Sequence, residues 1–87
     1  MNRDDVLIEF GAQTLSEHNF FARDETREDE IGIMDVANGL VVYRTDERNQ
    51  REFEFTTTSE AEALGVFATK LRTHLALQDF VRSRGLQ

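Results

Sequence analysis

The chain has 87 residues, of which 39% are hydrophobic and 31% are charged, a composition that predicts one small globular domain, residues 1–87. It contains no cysteine, which excludes disulfides and thiolate metal sites. The net charge of −7 argues against nucleic-acid binding and favours a basic partner. No apolar run is long enough to span a membrane, and "MNRDDVLIEF" lacks the pattern of a signal peptide, so we expect a cytoplasmic protein that binds no membrane.

Helical patterns occur at the two ends of the chain. Residues 3–17 place Val6 and Phe10 on one apolar side, although Gly11 weakens the helix in its middle. Ser59 followed by Glu62 has the spacing of a capping box. The apolar stripe that follows predicts a long C-terminal helix; it consists of Leu64, Phe67, Ala68, Leu71, Leu75, Leu77, Phe80 and Val81.

The segment between the helices reads as strands. "HNFFARDE" predicts a short strand at about 19–24, and "EFEFTT" alternates in the way a half-buried strand does. Two apolar runs flank Asn38-Gly39, a pair suited to a two-residue hairpin turn, which would pair Val36 with Val41 and Met34 with Tyr43. The sequence therefore predicts an α+β fold: an N-terminal helix, a three- to four-stranded antiparallel meander sheet and a long C-terminal helix in a two-layer sandwich.

Both faces of the predicted hairpin are apolar. One would carry Met34, Val36, Val41 and Tyr43, and the other Ile31, Ile33, Leu40 and Val42. Three arrangements would keep both faces from water: helices on both sides, a second subunit on one side, or a partner on one side. The pattern leaves these alternatives open.

No motif in the chain indicates catalysis or a cofactor. His18 and His74 are far apart in sequence and fit no metal-ligand spacing, so we expect both to be structural. The glycines are scattered and form no phosphate loop, and the acidic stretch lacks the glycine and the alternation of a calcium loop. We expect a protein that is not an enzyme and holds neither a metal nor a cofactor.

"DETREDE", residues 24–30, places five carboxylates and one arginine in seven positions. It is either a solvated turn or a surface that meets a basic partner. An acidic rim beside an exposed apolar sheet face would favour the second interpretation, because the charges would attract a basic protein and the apolar side chains would hold it. The candidate partner-binding residues are Asp24, Glu25, Glu28, Asp29, Glu30, Met34, Val36, Val41 and Tyr43.

Residues 37–75, "ANGLVVYRTDERNQREFEFTTTSEAEALGVFATKLRTHL", resemble the small immunity proteins of bacterial polymorphic-toxin systems. The nearest group is an actinobacterial family that neutralises toxins exported by type VII and related secretion. The matching elements are a Gly-led apolar strand, an arginine in a turn, an acidic-aromatic strand, an acidic helix start and a Leu-Arg pair: Gly39–Tyr43, Arg48, Glu52–Phe55, Glu60–Glu62 and Leu71-Arg72.

The resemblance implies an antitoxin that binds a cognate secreted toxin and covers its active site. The expected partner is then a toxin with a basic active-site region. Two alternatives remain: a homodimeric structural or chaperone-like module that uses the second sheet face as its seam, and a phage-type acidic mimic of nucleic acid that inhibits a DNA-binding enzyme.

Overall fold

The computed structural model describes residues 1–85. The elements in chain order are α1 (Arg3–Ser16), β1 (Asn19–Phe20), β2 (Ile31–Val36), β3 (Gly39–Thr45), β4 (Arg51–Thr57) and α2 (Glu60–Gly85). The four strands form one sheet in the order β1-β2-β3-β4. This confirms the predicted α+β class, with one helix before the sheet and one long helix after it.

The N-terminal helix begins with a capping box that was not predicted from the sequence. The Asn2 side chain accepts the backbone N–H of Asp5 at 2.8 Å, and the Asp5 carboxylate accepts the backbone N–H of Asn2 at 2.9 Å. Gly11 interrupts the helix with φ of 83°, a value that favours glycine. The predicted helix is therefore present, and its weak point at Gly11 is a kink.

The first strand differs from the prediction in length and in direction. β1 has two residues instead of six, and it pairs with β2 in parallel, through Asn19 with Gly32 and Phe20 with Ile33. The sheet is therefore mixed and not an antiparallel meander. Phe21 ends the strand, since its φ of 58° is incompatible with an extended chain. Residues 21–30 then return the chain to the end of the sheet at which β1 began.

The β2–β3 hairpin forms, but in a different register. Val36 pairs with Gly39 and Met34 with Val41, so the two turn residues are Ala37 and Asn38. The turn that we predicted needs positive φ at both Asn38 and Gly39, and only Gly39 has it, at 150°. A shift of each partner by two residues keeps the same side chains on the same face. The predicted division of the two faces is therefore confirmed despite the wrong register.

Both helices pack on the same face of the sheet. Their apolar residues form one core with the strand residues of that face: Val6, Leu15, Ile31, Ile33, Leu40, Val42, Ala63, Leu64, Phe67 and Leu71. Phe53 and Phe55 of β4 pack against this core, so the aromatic side of the alternating strand faces the helices. Met34, Val41 and Tyr43 form a second, smaller cluster on the opposite face.

The long helix begins at a cap that is only half of the predicted box. Ser59 Oγ accepts the backbone N–H of Glu62 at 3.2 Å, as expected. The backbone N–H of Ser59 donates to Thr57 Oγ1 at 3.1 Å, where a full capping box would place the Glu62 carboxylate. Two surface ion pairs join α2 to α1, Arg3 with Glu60 and Arg72 with Glu9.

Candidate binding surface

Residues 21–30, which we call the acidic connection, join β1 to β2 and begin with a turn built around Asn19. Oδ1 of Asn19 accepts the backbone N–H groups of Ala22 and Arg23 at 3.0 and 2.9 Å. Nδ2 of Asn19 donates to the carbonyl of Arg23 at 3.1 Å. Asparagine commonly turns a chain in this way, because its side chain replaces backbone partners. The turn directs the acidic connection onto the sheet face that carries Tyr43.

Glu30 ends the acidic connection and is the centre of a buried polar network. It is 2% exposed. Its carboxylate accepts the Tyr43 hydroxyl at 2.6 Å, the Arg23 guanidinium at 2.5 Å and the backbone N–H of Arg27 at 2.9 Å. The Tyr43 hydroxyl also accepts Nδ2 of Asn19 at 2.9 Å. Four side chains from three parts of the chain thus hold the connection to the sheet, and each of them makes more than one hydrogen bond.

The pKa values in this network follow from burial and hydrogen bonding. Burial alone would raise the pKa of Glu30, but the hydrogen bonds from Arg23, Tyr43 and the Arg27 backbone outweigh it, so the pKa is lowered. Burial, together with the hydrogen bond to Glu30, raises the pKa of Tyr43 to about 12. Glu30 is therefore ionised and Tyr43 neutral near pH 7, which is the charge state that holds the connection in place.

The predicted partner-binding residues divide into two groups. Asp24, Glu25, Glu28, Asp29 and Val36 are exposed. Glu30, Met34, Val41 and Tyr43 are buried, and Tyr43 has no exposed surface at all. The prediction that Met34, Val41 and Tyr43 contact a partner directly is therefore wrong, because these three side chains are buried, and the acidic connection binds the Tyr43 hydroxyl on this face through Glu30. A covering segment of the chain itself was not among the three arrangements expected from the sequence.

The β3–β4 loop and the last residue of β3 support the middle of the acidic connection, residues 26–29. The backbone N–H of Asp29 donates to the carbonyl of Asp46 at 3.0 Å, and Nδ2 of Asn49 donates to the carbonyl of Thr26 at 3.2 Å. Thr45 Oγ1 donates to the carbonyl of Arg27 at 2.5 Å. The acidic connection and the β3–β4 loop (residues 46–50) therefore form one continuous surface.

A cleft of about 460 Å³ lies where this surface meets α2, and we call it the charged cleft. Its ionic lining consists of four carboxylates and two guanidinium groups: Asp29, Asp46, Glu47, Glu52, Arg44 and Arg48. Arg44 and Glu52 pair at 2.6 Å, so the remaining charges are three negative and one positive. Asp29 belongs to both the cleft and the acidic connection, which makes the negative surface continuous.

The C-terminal part of α2 adds exposed apolar side chains beside the cleft. Leu77 and Val81 are 57% and 59% exposed, and Leu77 lines the charged cleft. The long helix that they and Phe80 predicted is present, but the three side chains do not continue its buried side, since Phe80 is also 59% exposed. The sequence already indicated that the buried side ends near Leu75. The positions three, four and seven residues after Leu75, which would continue that side, are the polar residues Gln78, Asp79 and Arg82.

Residues 1–85 contain no group of three or more His, Asp or Glu side chains arranged to hold a metal ion. No helix in the same range has the length and apolar character required to cross a membrane. The feature of these residues that most resembles a recognition site is the acidic connection with the adjoining charged cleft. No protein-family model, curated protein or solved structure matches the chain, so the resemblance to immunity proteins remains a prediction.

Proposed function

We propose that the protein is an immunity protein that binds a cognate secreted toxin and covers its basic active-site region. The carboxylates of Asp24, Glu25, Glu28 and Asp29 would make the first contact. The exposed apolar side chains of Val36 and Leu77 lie on other parts of the surface, and of these two Leu77 is next to the cleft. Met34, Val41 and Tyr43 no longer belong to the proposed contact surface, since their burial gives them a supporting role.

The observation that carries this proposal is the fixed position of the acidic connection. A buried network holds its two ends, and the β3–β4 loop holds its middle, so four like charges stay exposed on an ordered segment. An ordered segment loses little conformational entropy when it binds. Concentrated charge also accelerates encounter with a partner of opposite sign and weakens encounter with acidic proteins. A solvated turn that only connected two strands would need neither the buried polar network nor an ordered backbone.

The homodimer alternative, in which two copies meet through the second sheet face, has less support from the structure than from the sequence. That alternative required an open apolar sheet face, and the acidic connection occupies this face. The nucleic-acid mimic predicts acids along one whole face of the molecule, whereas residues 59–87 carry three acids and four bases. Binding of a basic protein is therefore the function that the exposed charges support best.

Growth protection tests the proposed function. The protein is co-expressed with candidate secreted toxin domains, beginning with any that a neighbouring gene encodes, and the wild-type chain is expected to restore growth with its cognate toxin. Binding of the purified pair is then measured at low and at high salt. Absence of both protection and a complex would overturn the proposal.

A neutralised variant tests the surface separately from the function. It carries Asp24→Asn, Glu25→Gln, Glu28→Gln and Asp29→Asn, and asparagine tolerates the φ of 53° at position 29. The matched control removes the same number of exposed charges elsewhere, with Asp4→Asn, Glu17→Gln, Glu62→Gln and Asp79→Asn. We expect about a tenfold or greater loss of association rate at low salt in the first variant alone. Equal losses in both variants would assign the effect to net charge.

A further inference from the structure

Two histidines from different parts of the chain meet behind the acidic connection. His18, two residues after the end of α1, is 5% exposed, and its Nδ1 accepts the backbone N–H of Ile31 at 3.0 Å. The ring of His74, from α2, meets the His18 ring edge-on, with centroids 5.2 Å apart and planes at 90°. Because Nδ1 of His18 accepts a hydrogen bond, it carries no proton in this arrangement.

The second histidine has a nitrogen without a compensating contact. Nε2 of His74 is buried and has no hydrogen-bond partner among residues 1–85. A buried polar atom in this condition is costly, and a positive charge on the same ring would cost more. Both rings are therefore suited to the neutral state and poorly suited to the protonated one.

Some of the charged groups around the two histidines raise their pKa values and others lower them. Burial lowers the pKa of His18, and His74 lowers it further, while Glu30 and Glu17 raise it. Burial also lowers the pKa of His74, as does Arg44 of β3, while Asp29 of the acidic connection raises it. The cleft beside His74 also contains Asp46, Glu47, Arg48 and Glu52. In sum the pKa of each histidine lies below its ordinary value.

We propose that His18 and His74 form an acid-sensitive latch that holds the first residue of β2, and with it the base of the acidic connection. Protonation of Nδ1 converts the acceptor of the Ile31 N–H into a donor, so the hydrogen bond between them is lost. A second proton on His74 places two cations in edge-to-face contact inside the fold. Ile31 directly follows Glu30, whose carboxylate holds Arg23 and Tyr43, so release at Ile31 loosens the network that orders the connection.

The sign of the pH dependence follows from the lowered pKa of each histidine. A histidine whose pKa is lowered by folding contributes stability that is fully present above its unfolded value of about 6.5. That contribution is lost as the pH falls from this value through the folded pKa.

Amide hydrogen exchange at Ile31 tests the latch, measured at about pH 7.5 and about pH 5.5 and corrected for intrinsic rates. In the wild-type protein the equilibrium constant for opening of the Ile31 amide is expected to increase as the pH falls. The increase is up to about tenfold for each pH unit between the unfolded and the folded pKa of His18. The increase should exceed that of the core amide of Val42. Equal changes at the two amides would indicate global unfolding and overturn the latch.

Two variants separate the latch from a merely structural role. In His18→Asn the asparagine keeps an acceptor near the Nδ1 position but does not titrate. The opening equilibrium constant of the Ile31 amide should therefore change by less than about twofold over the same pH range. His74→Leu removes the second cation and should reduce the pH dependence without abolishing it. Should His18→Asn fail to fold, NMR titration of the His18 ring in the wild-type protein decides the matter. A His18 pKa below about 6.5 supports the latch, and one at or above it overturns the latch.

Discussion

The ring of Tyr43 lies across the backbone of Gly32, its partner in the β2–β3 pairing, so that a Cβ at Gly32 would be 2.1 Å from Cζ of Tyr43. No other residue leaves room for the ring at this point. The ring in turn positions the hydroxyl between Glu30 and Asn19. The missing side chain of Gly32 is therefore a condition for the network that holds the acidic connection.

Gly32→Ala should destabilise the protein by about 1–3 kcal/mol or more, because the methyl group and the Tyr43 ring cannot occupy the same space. Gly65→Ala is the matched control, since nothing lies within 4 Å of its Cβ position and it is inside α2. That substitution should stabilise the protein by about 0.5–1 kcal/mol. Urea unfolding of both variants measures the difference, and a neutral Gly32→Ala would contradict the packing described above.

Tyr43→Phe removes the hydroxyl and leaves the ring in place. Glu30 then loses a donor and Asn19 loses an acceptor, both in a buried site, so we expect a loss of about 1–3 kcal/mol. Thr56→Val removes a hydroxyl from an exposed position of β4 and should change the free energy of unfolding by less than about 0.5 kcal/mol. Similar losses in the two variants would show that the hydroxyl of Tyr43 contributes nothing specific.

Glu30→Gln keeps the shape of the side chain and removes its charge. We expect a loss of about 3 kcal/mol at pH 7, at the lower end of the range for a broken buried pair, because Arg23 also donates to the carbonyl of Glu25. The pKa of Glu30 is lowered by folding. The extra stability of the wild-type protein over Glu30→Gln is therefore fully present above the unfolded pKa of this carboxyl. It should shrink as the pH falls through the folded pKa. Denaturant unfolding at several pH values measures this, and an advantage that persists at low pH would argue against an ionised Glu30.

Leu77→Ala and Leu71→Ala compare the two parts of α2. Leu71 is fully buried in the main core, so its truncation should cost about 2–5 kcal/mol. Leu77 is exposed beside the charged cleft, and its truncation should change stability by less than about 0.5 kcal/mol. The same Leu77 variant should weaken binding of the proposed partner, because the exposed side chain lies beside the charged cleft. Thermal unfolding and binding measured on the same samples separate the two effects, and a large loss of stability at Leu77 would place it in the core.

The sequence was sufficient for the parts of the fold that depend on periodic apolar patterns. The helices, the hairpin and the division of β2 and β3 into two faces follow from spacing alone. The hairpin register did not follow, because it depends on which residue takes positive φ, and only Gly39 of the Asn38-Gly39 pair does so. A register shift of two residues leaves the faces unchanged, which is why the core could be predicted while the turn was wrong.

The covering of the second face could not be predicted, because it depends on side-chain hydrogen bonds between distant residues. Asn19 turns the chain after two residues of β1, and Glu30 reaches Tyr43 across the sheet. Neither bond produces a hydrophobic pattern. A stretch rich in acids also gives no indication that its last carboxylate is buried and the preceding ones are exposed.

The central claim, that the acidic connection buries Tyr43 and binds its hydroxyl, can be tested by a single titration. Tyr43 is the only tyrosine and the chain has no tryptophan, so the absorbance of the phenolate reports on this residue alone. We expect a pKa of about 12 for Tyr43, with the helical circular dichroism signal retained until the hydroxyl ionises. A pKa of about 10 in the folded protein, the value of a free tyrosine, would mean that the face is open to water and would contradict the claim.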